Sequence, residues 1–220
     1  MKNSFFVLVL CCGLLGACGG KQKNARLGQN YYKLAMLELT DEARGEQSYK
    51  KALRYIDQAL AQDKKPDYLA LKATLLFKLG QEEESCVCFK KALAVGDDLG
   101  LRAEILNNYA CLCAHMNKLD EASKIWQSLE YNKDYLTPEV ACINQGKVAI
   151  GLKQYEQAKT HFLRAIAIDP AYLDAHYYVA LTAHVMCNQA LAQQSIRTVL
   201  FLEPKHQGAL ELARQLGISQ

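Results

Sequence analysis

The sequence predicts an all-α solenoid, a row of helix pairs stacked side by side. Three observations carry that expectation. A small residue, followed four later by a large apolar one and seven later by a small or apolar one, recurs five times. The five sets are Ala52-Ile56-Ala59, Ser85-Phe89-Ala92, Ala122-Trp126-Leu129, Ala158-Phe162-Ala165 and Ala192-Ile196-Val199, with starts 33, 37, 36 and 34 residues apart. Twelve residues before four of these anchors stands another small residue, Ala73, Ala110, Gly146 or Ala180. Four prolines and few alternating β-branched runs argue against an all-β fold.

A helix–turn–helix unit of about 34 residues with small side chains at two crossing points is the tetratricopeptide pattern. Small residues let the two helices approach, and Leu69, Leu76, Phe89, Leu106, Trp126 and Phe162 fill the space beside them. The repeats then run 26–62, 66–95, 101–129, 138–168 and 172–202, about five in all. A last helix over 207–216 closes the stack with Glu211, Arg214 and Gln215 on its outer side. In the first repeat the small residue is Ala35, seventeen before Ala52, so its turn holds five extra residues within Thr40 to Ser48. Gly80, Asn117 to Asp120 and Lys153 to Glu156 mark later turns. No single repeat can bury its face, so stability comes from stacking on neighbours.

The chain of 220 residues is half apolar and 22% charged with a formal net charge of +3. That is enough for a sizeable core; it excludes a disordered acidic tail and argues against a dedicated nucleic-acid binder. Nine cysteines in a chain this long do not make a disulfide framework of the small secreted kind.

The repeats are preceded by a targeting segment. Met1 to Ser4 is weakly basic, and Phe5 to Leu15 is an apolar run too short to span a bilayer but suited to a signal-peptide core. It closes with Leu15-Gly16-Ala17-Cys18, which resembles the bacterial lipobox. The resemblance implies cleavage after residue 17, acylation of Cys18 and a lipid-anchored tether over 18–25. More than one acyl chain makes such attachment stable. Gly19, rather than aspartate, after the cysteine implies the outer membrane, facing the periplasm.

No phosphate-binding, dinucleotide-binding, zinc-protease or nucleophile-elbow motif is present, so no catalytic residue and no cofactor is expected. The five histidines are scattered. Six cysteines lie beyond Cys18, at 86, 88, 111, 113, 142 and 187. Cys86/Cys88 and Cys111/Cys113 are each two apart, pointing about 200° away from each other on a helix, so neither pair alone grips one metal ion. They fit better as small buried hydrophobes, with inter-repeat disulfides left open.

The first helices of such repeats line a concave face. The positions expected there are Tyr32, Met36 and Leu39; Ala70, Thr74 and Phe77; Asn107, Cys111 and Ala114; Ile143, Lys147 and Ile150; and Tyr177, Leu181 and His184. From these, Tyr32, Met36, Phe77, Asn107, Ile143, Lys147, Tyr177 and Leu181 are the candidate contacts for a peptide with apolar anchors, Asn107 serving its backbone.

A lipobox followed by these repeats resembles the tetratricopeptide-repeat pilotins, the PilF/PilW family of type IV pilus biogenesis lipoproteins. The matching stretches are Leu106-Asn107-Asn108-Tyr109-Ala110, Tyr135-Leu136-Thr137-Pro138-Glu139 leading to Asn144-Gln145-Gly146, and Tyr155-Glu156-Gln157-Ala158-Lys159 with Phe162. The family usually has glycine where Ala110 stands and fewer cysteines. The resemblance implies a non-enzymatic outer-membrane protein that binds PilQ-like secretin subunits and promotes their localisation and assembly into a ring, with no nucleic-acid partner. Two other readings are an accessory scaffold of β-barrel assembly or of cell-wall machinery, and a periplasmic thiol or metal protein.

Overall fold

The computed structural model describes residues 5–40, 45–95 and 98–218, with side chains from residue 22 onward. Among the described residues the regular structure is entirely helical. The helices are α1 (Phe5–Glu38), α2 (Glu46–Gln62), α3 (Pro66–Lys78), α4 (Glu82–Ala94), α5 (Leu99–His115) and α6 (Leu119–Glu130). They are followed by α7 (Pro138–Gly151), α8 (Tyr155–Ile168), α9 (Leu173–Val185), α10 (Gln189–Leu202) and α11 (Gln207–Gln215). The fold is a tetratricopeptide-repeat solenoid, and the chain forms two compact units, Met1–Asp98 and Leu99–Gln220.

The expected leader, 1–17, and the lipidation residue Cys18 lie outside the residues whose side chains are described. Helix α1 runs without a break through 18–25, the stretch expected as a tether. Residues 41–44 of the expanded first turn also lie outside the described residues.

Seven of the helices begin where the sequence supplies a plain reason. Pro66 and Pro138 open α3 and α7 at the one place where a missing N–H costs nothing. Carboxylates stand in the first turns of α4, α6 and α8, against the positive end of the helix dipole. Asn188 caps α10, its side chain accepting from the Leu191 N–H at 3.2 Å. The His206 Nδ1 accepts from the Ala209 N–H at 3.0 Å at the start of α11.

The first helices of the later repeats, α3, α5, α7 and α9, end alike. Gly80, Asn117, Lys153 and Cys187 each have positive φ, 75° for the glycine and 59° for the other three. After each, a backbone N–H returns to a carbonyl five residues earlier: Gln81 to Leu76, Lys118 to Cys113, Gln154 to Ala149 and Asn188 to Ala183, at 2.8–2.9 Å. This is the 6→1 closure that satisfies otherwise orphaned helix-end carbonyls.

The repeating small residues sit at the helix crossings. Ala35, Ala52, Ala73, Ser85, Ala110, Ala122, Ala158, Ala180 and Ala192 are all fully buried. In the first unit, Ile56, Ala59, Tyr68 and Leu75 complete a core with Ala35 and Ala52. In the second, Phe162 fills one centre with Ile143 and Val179, while Ile196, Val199, Leu212 and Leu216 fill another beneath α11. Gly146 is required at its crossing, because a Cβ there would stand 2.3 Å from the Phe162 ring.

Candidate functional site

The candidate contact positions lie on the first helix of each repeat, and the structure separates them into two groups. In the first unit they stay accessible. Met36 on α1 is 44% exposed. Tyr32 is half-buried, its ring stacked on Tyr68 with centroids 5.1 Å apart. Tyr68 is itself anchored, its hydroxyl donating to the Gln29 Oε1 at 3.1 Å. Burial, with Asp67 nearby, raises the Tyr32 phenol above its ordinary value, so it stays a neutral hydrogen-bonding group. Phe77 and Thr74 on α3 are half-buried, and the Thr74 hydroxyl is already donated to the Ala70 carbonyl. This surface is an apolar and aromatic face without a charged side chain among its candidate residues.

In the second unit most candidates are committed to the fold. Ile143 is 2% exposed and belongs to the core with Phe162, Ala158 and Val179. Tyr178 stacks on Phe162 at 5.2 Å and packs against that core, so Ile143 is not an open contact. Asn107, expected to serve a partner's backbone, is 9% exposed. Its Oδ1 accepts from the Trp126 Nε1 at 3.0 Å and from the Asn144 Nδ2 at 3.3 Å, tying α5 to α6 and α7. A buried indole N–H must find an acceptor, and Asn107 is that acceptor.

Tyr177 and Leu181 are half-buried against the C-terminal cluster. The Tyr177 ring lies 4.7 Å from His206, and a Cβ at residue 208 would meet its hydroxyl at 2.3 Å, so Gly208 is the residue that lets α11 close over it. Lys147 alone of these five is exposed, with its Nζ 4.9 Å from the Tyr178 ring centre.

Two features fall outside the positions expected on the concave face. Asn144 and Tyr178 each follow an expected contact, Ile143 and Tyr177, and the spacing from Asn108 to Asn144 to Tyr178 repeats the period of the solenoid. Asn144 also reaches the Cys111 Sγ at 3.7 Å. Tyr135, from the connection between α6 and α7, is 3% exposed, and its hydroxyl is buried without a hydrogen-bond partner among the described residues. Burial, opposed by Thr137 and reinforced by Glu104, pushes this phenol up to about 12.

A second polar centre holds the unit together. The Glu130 side chain, 4% exposed at the end of α6, pairs with the Arg164 Nε of α8. It also accepts from the Gln145 Nε2 of α7 at 3.2 Å and from the Cys142 Sγ at 3.4 Å. The guanidinium of Arg164 in turn covers the Tyr131 ring at 4.3 Å. Burial first, and then Glu130, push the Cys142 thiol up to about 12. Burial also raises Cys88 and Cys111. Protonated thiols are poor nucleophiles and poor metal ligands. Among the described residues no three histidine, cysteine or carboxylate side chains gather as a metal site.

A tetratricopeptide-repeat family model matches residues 66–95 and 140–172. A TPR repeat-containing protein of Methanocaldococcus jannaschii is 38% identical over 63 residues, 29% of this chain and 10% of that one, so the match spans about a tenth of that curated relative. Among solved structures, PilF of Pseudomonas aeruginosa superposes with a TM-score of 0.74 at 19% identity, covering 89% of this chain and 85% of that one. PilW, described as a widely conserved type IV pilus biogenesis factor, gives 0.72 at 25% identity, covering 88% and 87%. YrrB, described as a TPR protein with an unusual peptide-binding site, gives 0.58 at 18% identity, covering 84% and 90%.

Proposed function

We propose that this chain is a pilotin of type IV pilus biogenesis, an outer-membrane lipoprotein that binds secretin subunits and promotes their localisation and multimer assembly. The observation that carries the reading is the end-to-end likeness to PilF and PilW, which spans more than four-fifths of every chain involved. The lipobox-like run ending in Cys18 supports the membrane part of the reading.

Such a protein makes and breaks no bond. It binds a subunit, covers apolar surface that would otherwise aggregate, and raises the subunit's concentration at the target membrane through the anchor. Tyr32, Met36 and Phe77 are the contacts we assign to the partner, because they form the accessible apolar and aromatic face of the first unit. Lys147 offers a single charge on the second.

The test is the amount of heat-resistant secretin multimer in cells carrying Met36→Asp together with Phe77→Asp. A large loss of multimer is expected, with the circular dichroism and melting temperature of the purified variant checked to show that the repeats still fold. Unchanged multimers, or co-purification of the wild type with a barrel-insertion complex in place of a secretin, would overturn the assignment. Cys18→Ser should leave secretin binding in detergent intact and abolish delivery to the outer membrane.

A further inference from the structure

Helix α1 carries an apolar line that the repeat architecture leaves uncovered. Leu27, Asn30, Leu34 and Leu37 follow one another at spacings of three, four and three, so they share one side of the helix over about 15 Å. Leu27 is 39% exposed, Leu34 40% and Leu37 63%. Within each unit, the helices that follow another repeat bury most of the corresponding side, although Lys65, Pro138 and Tyr172, aligned with Leu27, and Lys72, aligned with Leu34, stay half-buried. Tyr68, aligned with Asn30, is fully buried, as are Ala141 and Ala175. Leu75 and Thr182, aligned with Leu37, are each 1% exposed, and Val179, aligned with Leu34, is fully buried. In α1 no preceding helix pair exists among the described residues to cover these positions.

The exposed charge on this side of α1 is of one sign. Lys23 continues the line four residues before Leu27, Arg26 and Lys33 are exposed beside it, and Glu38, next after Leu37, is paired with Lys51. A second copy docking symmetrically through this line would bring the cations of both copies into one interface. The other terminal helix, α11, turns Glu211, Arg214 and Gln215 outward, so it offers no apolar stripe for head-to-tail stacking. A line of three leucines, interrupted by Asn30, with Lys23 at its start and Arg26 and Lys33 along its flank, is instead compatible with a helix lying in a bilayer interface. The leucines enter the acyl boundary and the long basic stems reach back to phosphate.

We infer that α1 lies along an anionic phospholipid surface, with Leu27, Leu34 and Leu37 against the lipid and Lys23, Arg26 and Lys33 on the headgroups. Three leucines do not hold a protein to a membrane by themselves. They orient one already tethered there, and the basic residues add electrostatic attraction that salt weakens. This assignment does not depend on the secretin reading, and Met36, between about 100° and 180° round the helix from the three leucines, stays in water.

The test places a photoreactive diazirine amino acid at position 34, 37 or 36 of the full chain, reconstituted on vesicles containing phosphatidylglycerol. Positions 34 and 37 should yield a several-fold excess of phospholipid adduct over position 36. The excess should shrink when phosphatidylcholine replaces the anionic lipid, or when Lys23→Glu, Arg26→Glu and Lys33→Glu are combined. No secretin is present, which separates the helix face from the partner reading. Equal adducts at all three positions would overturn the inference, as would adducts from 34 and 37 to a second copy of the chain. So would adducts from those positions, in cells, to another protein in place of lipid.

Discussion

The two compact units are built from the same repeat but hold themselves together differently. In the first, the ion pairs sit near the surface. Lys51 meets Glu38 and Lys72 meets Asp57, each at 2.6 Å, with half or more of one side chain exposed in the second pair. Exposed pairs contribute up to about 1 kcal/mol each, so this unit rests on its apolar core of Ile56, Tyr68 and Leu75. In the second unit, buried polar side chains bind three successive helices to one another, Asn107 through Trp126 and Asn144, and Glu130 through Gln145 and Arg164. A polar group spent on an internal tie is not available to a partner. The first unit therefore keeps its contact face open, and the second has converted most of the same positions into structure.

The sharpest way to break that contrast is at the glycines. Gly146→Ala drives a methyl into the Phe162 ring, with three ring atoms within 2.7 Å. It should destabilise the second unit by about 2–3 kcal/mol or more, read as a lowered urea midpoint. Gly28→Ala in the first unit meets only the Ala59 carbonyl at 3.3 Å and ordinary contacts beyond. The gain in helix propensity offsets that push, and the midpoint should stay within about 1 kcal/mol of the parent.

Next in size is Glu130→Ala, which leaves Arg164 and Gln145 without their acceptor. Arg164 is 40% exposed and can turn to water, so the expected loss is about 1–3 kcal/mol, below that of a fully buried pair. Hydrogen exchange should show the loss in α6, α7 and α8 and leave α1 to α3 protected as before. If both units lose protection equally, they do not differ in the way described.

The smallest effect is a pH slope. Burial holds the His161 imidazole below its ordinary 6.5, against the opposing pull of Glu130 and with Arg164 adding to the depression. Above 6.5 the ring is neutral in both folded and unfolded chains and contributes no pH dependence. As pH falls through 6.5 the unfolded chain takes up the proton first, so stability declines until the folded ring is protonated too. Urea midpoints at about pH 7.5 and about pH 5.5 should differ less in His161→Gln than in the parent.

The fold was legible because its signal is steric and periodic. A crossing admits only a small side chain, so Ala52, Ser85, Ala122, Ala158 and Ala192 mark the sequence at the spacing of the repeat, and each is fully buried. The contact face was less legible because position in the repeat does not determine exposure. Ile143 and Met36 occupy adjacent rows of one face, yet Ile143 lies in the core beside Phe162 and Tyr178 while Met36 has no such neighbour over it. Its position in the repeat puts Asn107 on the concave face. The Trp126 indole, which needs an acceptor once buried, drew it inward. The Glu130–Arg164 tie left a trace that went unused: opposite charges one period apart on successive second helices stand side by side.

The four left-handed turn residues have a consequence for how the chain can be altered. Gly80, Asn117, Lys153 and Cys187 stop their helices at the same point with nearly the same backbone geometry, although only one of them is glycine. The stretch from Asn117 to Lys153, or from Lys153 to Cys187, is therefore a cassette whose two ends match. Duplicating one whole cassette would lengthen the array while keeping every downstream face in phase, whereas inserting a single amino acid inside a helix would rotate all that follows it by about 100°.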